Sequence, residues 1–158
     1  MRKVLFSVVA FFIMLSCAAG AMAQEDPWEK VKVRFTPRTL NLGSEGNWVT
    51  CMIKGLPEGY IPADIDLDTV CIVEVNNMVL DDDGGPICFD KDSGAPYNVG
   101  KRKLMVSFDR QALSDVITAY PKRNPTKAKI IIEGYGQDGE LQFWGKNRIR
   151  VKPVKVKN

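Results

Sequence analysis

The sequence predicts an all-β fold, an antiparallel sandwich of two sheets joined by one short crossover helix. Three observations lead there. Apolar residues recur with a period of two in several short runs. Glycine, proline, asparagine and aspartate interrupt the chain between those runs at regular intervals. Only one segment has helical spacing, so strands do not alternate with helices as a parallel α/β sheet requires.

The fold begins after an export signal. Arg2 and Lys3 precede an almost unbroken apolar run from Val4 to Met14, and Ala21-Met22-Ala23 puts small residues where a signal peptidase reads them. Residues 1–23 are expected to be a signal peptide. The run is shorter than the ~20 residues of a membrane span, and no later stretch reaches that length. Met14-Leu15-Ser16-Cys17 offers a second reading, because it resembles the lipobox of bacterial lipoproteins, whose cysteine carries a lipid. Met14 stands where that motif prefers leucine, and the site at Ala23 is better formed. The expected location is therefore secreted or periplasmic, with a membrane-anchored lipoprotein lipidated at Cys17 as the alternative. Without Arg2 and Lys3, the bases exceed the acids by about one. That balance does not suit a nucleic-acid partner.

Residues 24–30 are polar, carry Pro27 and read as a short leader; residues 31–158 read as a single β-sandwich domain. From Lys30 to Phe35, Val31, Val33 and Phe35 share one face, and Lys32 and Arg34 share the other, which makes a half-buried strand. Pro37 ends it, Thr39 to Leu42 is a short second piece, and Gly43-Ser44-Glu45-Gly46 turns the chain. Trp48 to Ile53 is apolar on both faces and suits a central strand. Val70 to Val75 is β-branched, and Met78 to Leu80 continues it or pairs with it. The loop that follows is expected to stay irregular through Gly100.

Lys103 to Phe108 alternates with Leu104, Val106 and Phe108 inward. Asp109 then caps a helix whose apolar positions are Ala112, Leu113, Val116, Ile117 and Tyr120, and Pro121 ends it. So short a helix makes a crossover between sheets, not a layer. Ala128 to Glu133, Leu141 to Trp144 and Arg148 to Val154 close the chain as strands, with Gln137-Asp138-Gly139 turning the first into the second. Roughly seven to nine short strands, each burying one face, give a sandwich of immunoglobulin-like type.

Several motifs also follow one another in a familiar order. They are Thr39-Leu40-Asn41-Leu42, Trp48-Val49-Thr50, Asp64-Ile65-Asp66-Leu67-Asp68-Thr69-Val70, Leu104-Met105-Val106-Ser107-Phe108-Asp109-Arg110 and Gly134-Tyr135-Gly136-Gln137-Asp138-Gly139. The chain resembles, over residues 32–152, the small immunoglobulin-like β-sandwich modules of secreted bacterial and archaeal proteins. The resemblance implies a fold and an extracellular location but no reaction, because most such modules have no assigned activity. Many carry an Asp-x-Asp-x-Asp-Gly string before the strand equivalent to Leu104–Phe108. Here that region reads Asp90-Lys91-Asp92-Ser93-Gly94, without the third acid.

The stretch DDDGGPICFDKD, residues 81–92, is the densest cluster of chemistry in the sequence. Calcium needs about six to eight oxygens and a turn that gathers them. Asp81, Asp83, Asp90 and Asp92 are the candidate ligands, with Asp82 beside them and a second acidic cluster at Asp64, Asp66 and Asp68. No starting residue meets the calcium-loop template. The favoured reading is a solvated turn in which Asp and Gly bond their own backbone; no cofactor is expected, and a stabilising calcium ion is the alternative.

Export makes disulfide formation expected among Cys51, Cys71 and Cys88. Cys71 with Cys88 is the favoured pair, since it pins a loop with little apolar anchorage. Cys51 suits a small buried hydrophobe, and three free buried thiols are the alternative. A catalytic thiol has no histidine to activate it, because the chain contains none. Ser-His-Asp arrangements are excluded for the same reason. No carboxylate pair is marked out for glycoside hydrolysis, and there is no Gly-rich phosphate loop. The chain is not expected to be an enzyme.

Charge is unevenly placed. Residues 64–92 hold nine acids and one base, Lys91, while residues 146–158 hold six bases and no acid. Arg148, Arg150 and Lys152 share one strand face, opposite Ile149 and Val151. Their plain explanation is a solvated, charged edge strand that resists aggregation. Their functional one is a basic surface for an anionic polymer such as lipopolysaccharide, or for an acidic partner. Trp28, Tyr135 and Trp144 offer stacking surface for sugars, although Trp144 beside Gly145 suits a packed sheet residue better. The expected role is a secreted, non-enzymatic module with a binding or structural role at the cell envelope. Its partner would be a protein or envelope polymer as yet unidentified.

Overall fold

The structure, a computed structural model, describes residues 28–80, 85–119 and 126–153. The expected signal peptide, Cys17, Asp81, Asp82, Asp83, Tyr120, Pro121 and residues 154–158 lie outside the described residues. No helix among the described residues is long and apolar enough to cross a membrane.

Alternation of apolar and polar residues builds two sheets. The smaller contains β2 (Lys32–Thr36), β4 (Trp48–Lys54), β8 (Tyr97–Val99) and β9 (Lys103–Asp109), in the order β2-β4-β9-β8 and antiparallel throughout. Strand β4 lies between β2 and β9, as its two apolar faces predict. Val33, Phe35, Val49, Cys51, Ile53, Leu104, Val106 and Phe108 point inward and are buried.

The larger sheet runs β1 (Trp28–Lys30), β11 (Gln142–Lys152), β10 (Lys127–Gly136), β5 (Ile65–Val75) and β6 (Met78–Val79). Two short strands join it from the side: β3 (Thr39–Asn41) pairs with β11, and β7 (Ile87–Cys88) pairs with β5. Its inner face contributes Val70, Ile72, Val75, Ala128, Ile130, Ile132, Phe143, Ile149 and Val151 to the same core. Each large side chain buried there contributes about 1.5–3 kcal/mol. Helix α1 (Arg110–Ala119) leaves β9 in one sheet and precedes β10 in the other, so it is the expected crossover. The Asp109 carboxylate accepts the Ala112 N–H at 2.7 Å and caps it. Leu113 and Ile117 are buried against the core.

The larger sheet is mixed, where the sequence predicts antiparallel strands throughout. Both β1 and β3 run parallel to β11. The reason is the path of residues 28–41. This segment runs along the edge of β11 as β1, bows into the smaller sheet as β2, and returns to the same edge as β3. Trp144 faces Lys30 and Arg150 faces Thr39, so nine residue steps cover a span that β11 covers in six. The bow is tied at both ends: Val31 N–H donates to the Trp144 carbonyl and Arg150 N–H to the Arg38 carbonyl, each at 2.9 Å. The segment thus passes from the larger sheet to the smaller one and back.

Other elements differ from the sequence reading. Trp28–Lys30 belongs to a strand, although the leader was expected to reach residue 30. Leu141–Trp144 and Arg148–Val154 were expected as two strands, but Gln142–Lys152 is continuous. Gly145 and Asn147 look like a break in sequence and instead receive β2. A Cβ on Gly145 would overlap Val33 Cγ2, so glycine is what lets β2 cross here. Strands β7 and β8 lie inside the loop expected to be irregular. Met78–Val79 pairs back on β5 through Asn76 and Asn77, whose φ values of 55° and 69° match the left-handed turn that asparagine tolerates.

Candidate functional site

The bow in residues 28–41 opens a groove on the face of β11. Strand β11 alternates strictly at this end: Ile149 and Val151 are buried, and Arg148, Arg150 and Lys152 are exposed. Arg148 and Arg150 line the groove from β11, Lys127 from β10, and Arg34 and Arg38 from the bowed segment. Its volume is about 800 Å³, Thr39 and Asn147 supply neutral polar groups, and no acid lines it. The structure thus brings two of the three predicted basic residues together. Lys152 points from the same face but does not line the groove.

Three of these cations were not singled out in the sequence. Arg34 and Arg38 lie more than a hundred positions from Arg148, and only the parallel return of β3 along β11 brings them near. Lys127 arrives through the β10–β11 register, directly opposite Arg150. Like charges directly opposite on a ladder destabilise it. The neighbouring pair, Lys129 opposite Arg148, is relieved: Lys129 Nζ donates to Glu74 Oε1 and to Asn77 Oδ1, both at 2.9 Å. That is the single ion pair among the described residues. The five groove cations therefore have no carboxylate partner among those residues.

The floor and wall of the groove are fixed by packing. Val33 and Phe35 are buried beneath it, and Asn147 Nδ2 donates to the Val33 carbonyl at 2.9 Å. The second edge of β2 is thereby tied to β11 at Val33.

The aromatic candidates lie along the larger sheet, outside the groove. Trp28 and Tyr135 meet edge to face with centroids 5.4 Å apart. Trp144 has Lys30 and Lys146 at 5.6 and 5.8 Å from its ring centre, so ammonium groups already occupy its surroundings. On the same sheet Glu133 faces Trp144. Partial burial, and then the charge of Glu74, raises the Glu133 carboxyl above its ordinary value.

The acidic loop is organised as a set of turns. Asp90 accepts the Asp92 N–H at 2.8 Å, and Ser93 donates to the Asp90 carbonyl at 2.6 Å. No group of three His, Cys, Asp or Glu residues is close enough to hold a metal among the described residues, which omit Asp81 and Asp83. Asp64 and Asp66 likewise accept the backbone N–H groups of Ile61 and Asp68.

Cys71 and Cys88 are register partners on β5 and β7, with sulfurs at the disulfide distance of 2.07 Å. The loop has more apolar anchorage than its composition suggests. Phe89 and Ala95 are buried, and the Phe89 N–H donates to the Val70 carbonyl at 2.9 Å. Cys51 is a free, fully buried thiol, and burial raises its pKa far above the ordinary value. It therefore cannot supply a thiolate to solvent.

No protein-family model matches the sequence, and no curated protein or solved structure matches it either.

Proposed function

We propose that the chain is an exported immunoglobulin-like binding module of the cell envelope, without catalytic activity, whose ligand is an anionic glycan held in the groove between β2 and β11. The observation that carries this reading is the set of five cations, Arg34, Arg38, Lys127, Arg148 and Arg150, around one groove that no acid lines. Such a site is costly to the fold unless an anion fills it, because the charges repel one another. Guanidinium groups suit the sulfates, phosphates and carboxylates of acidic polysaccharides, since their planar forks bond two oxygens at once.

A glycan fits better than an acidic peptide. Peptides commonly bind to sandwiches by adding a strand to an open edge. Here bonds from Val31 to Trp144 and from Asn147 to Val33 occupy part of the edge that a peptide would need. Recognition is left to side chains, which suits a ligand without a peptide backbone. The export signal at residues 1–23 supports a place where such polymers occur. The immunoglobulin-like assignment is supported by two sheets around one core and a strand segment shared between sheets.

The test is affinity for heparin, an anionic polysaccharide, in wild type and in Arg148→Ser/Arg150→Ser. Binding should weaken at least tenfold in the variant and should fall steeply with salt, in the manner of counterion release. Equal affinity in the two proteins would remove the groove from the account.

A further inference from the structure

A second cationic region lies at the other end of β2. Lys32 faces Lys54, and Lys54 faces Lys103, so three ammonium groups stand in one row across β2, β4 and β9. All three side chains are exposed. Like charges placed opposite one another destabilise a ladder, and none of the three has a carboxylate partner among the described residues. Lys101 and Arg102, between β8 and β9, add two more charges. These five line a groove of about 800 Å³ together with Leu56, Tyr60 and Pro62, and no acid lines it.

Strand β2 joins the two grooves. Lys32 lines the second and Arg34 the first. They occupy alternate exposed positions of one strand, so they project from the same side, about 7 Å apart. The lysine row extends a further two strand spacings, about 10 Å, across the sheet. A single sulfate or phosphate group can sit in either groove but cannot reach both.

We infer that the ligand is one polyanionic chain that lies along β2 and occupies both grooves at once, with Lys32, Lys54 and Lys103 forming its second site. The inference rests on the anionic-glycan reading of the first groove. It explains why two uncompensated clusters share a strand: a chain held at one site reaches the other at high effective concentration. It also sets a length requirement, because a fragment that fills one groove gains nothing from the other.

The experiment titrates the protein of residues 24–158 with a heparin disaccharide, short enough to fill one groove only, and with long-chain heparin. Wild type is compared with Lys54→Ser/Lys103→Ser and with Arg148→Ser/Arg150→Ser. In the lysine variant, affinity for the long chain should fall on the order of tenfold, while affinity for the disaccharide stays within about twofold of wild type. The slope of log affinity against log salt should shrink by about two for the long chain. Lys54→Arg/Lys103→Arg, which keeps the charge, should restore it.

The melting temperature separates a binding role from a structural one. Removing mutually repelling lysines should leave it unchanged or raise it. A clear fall would show that the row supports the fold, and would overturn the inference. Unchanged long-chain affinity in the lysine variant, with loss in the arginine variant, overturns the second site and leaves the first groove standing. Absence of heparin binding in wild type overturns both. Displacement of long-chain heparin by poly-glutamate at equal charge concentration overturns the glycan assignment in favour of an acidic polypeptide.

Discussion

The Asn147 carboxamide donates to the Val33 carbonyl at 2.9 Å and ties β2 to β11 at the middle of the bow. One polar side chain thus ties β2 to β11 at the wall of the first groove. Asn147→Ala should lower stability by about 1 kcal/mol, the usual net value of such a bond. Chemical denaturation measures that loss. Affinity for heparin should fall as well, although every groove cation is retained.

Gly145 lies two residues earlier on the same strand, beneath Val33. Any side chain there meets Val33 Cγ2 and the Val31 carbonyl. Gly145→Val should cost about 1–3 kcal/mol through overpacking. The effect should be smaller in the background of Val33→Ala, where the opposing methyl groups are gone. A double-mutant cycle measures that coupling, and strict additivity would show that the two positions do not touch.

The Cys71–Cys88 bridge closes a sequence separation of 17 residues. Chain entropy assigns such a bridge about 3 kcal/mol. Cys71→Ser/Cys88→Ser should lose stability of that order in urea while keeping its far-ultraviolet circular dichroism, because β7 and buried Phe89 still dock the loop. The intact mass of the oxidised wild-type protein should be lower by two protons than after reduction.

Glu133 gives a pH dependence of defined sign. Its folded pKa is raised by partial burial and by Glu74, so the folded state holds the proton more tightly than the unfolded state. Stability from this group is therefore greatest in acid and is lost as pH rises from the unfolded pKa through the raised folded one. Glu133→Gln should show a higher urea midpoint than wild type at neutral pH. The gap should narrow as the pH falls into the carboxylate range. A gap that stays constant with pH would place the effect in packing rather than in charge.

Much of the fold is legible in the sequence because it depends on local alternation. Lys32 to Phe35, Trp48 to Ile53 and Lys103 to Phe108 form strands with Val33, Phe35, Val49, Cys51, Ile53, Leu104, Val106 and Phe108 inward, and Asp109 begins the helix. Of the two readings of Met78 to Leu80, pairing with the preceding strand is the one formed, and Asn76-Asn77 makes the turn because asparagine tolerates positive φ. The parallel placement of β1 and β3 was not readable. It follows from how the core positions residues 28–41 against β11, and no local pattern encodes it.

The candidate site divides along the same line. Arg148 and Arg150 stand out because they alternate with Ile149 and Val151 on one strand. Arg34 carries the same alternation signal on β2, but nothing local says that its exposed face turns toward β11. Gly145 and Asn147 misled for a related reason. Residues that look like a strand break by composition were selected by the chain that crosses them.

The most direct measurement is a map of ligand contact by nuclear magnetic resonance. Isotope-labelled protein of residues 24–158 is titrated with a heparin oligosaccharide, and side-chain guanidinium and backbone amide signals are followed. The account predicts that the largest shifts fall on Arg34, Arg38, Arg148 and Arg150, with the backbone of Lys127 and Asn147 moving alongside. Shifts concentrated on Trp28, Tyr135 and Trp144, with the groove unchanged, would contradict it.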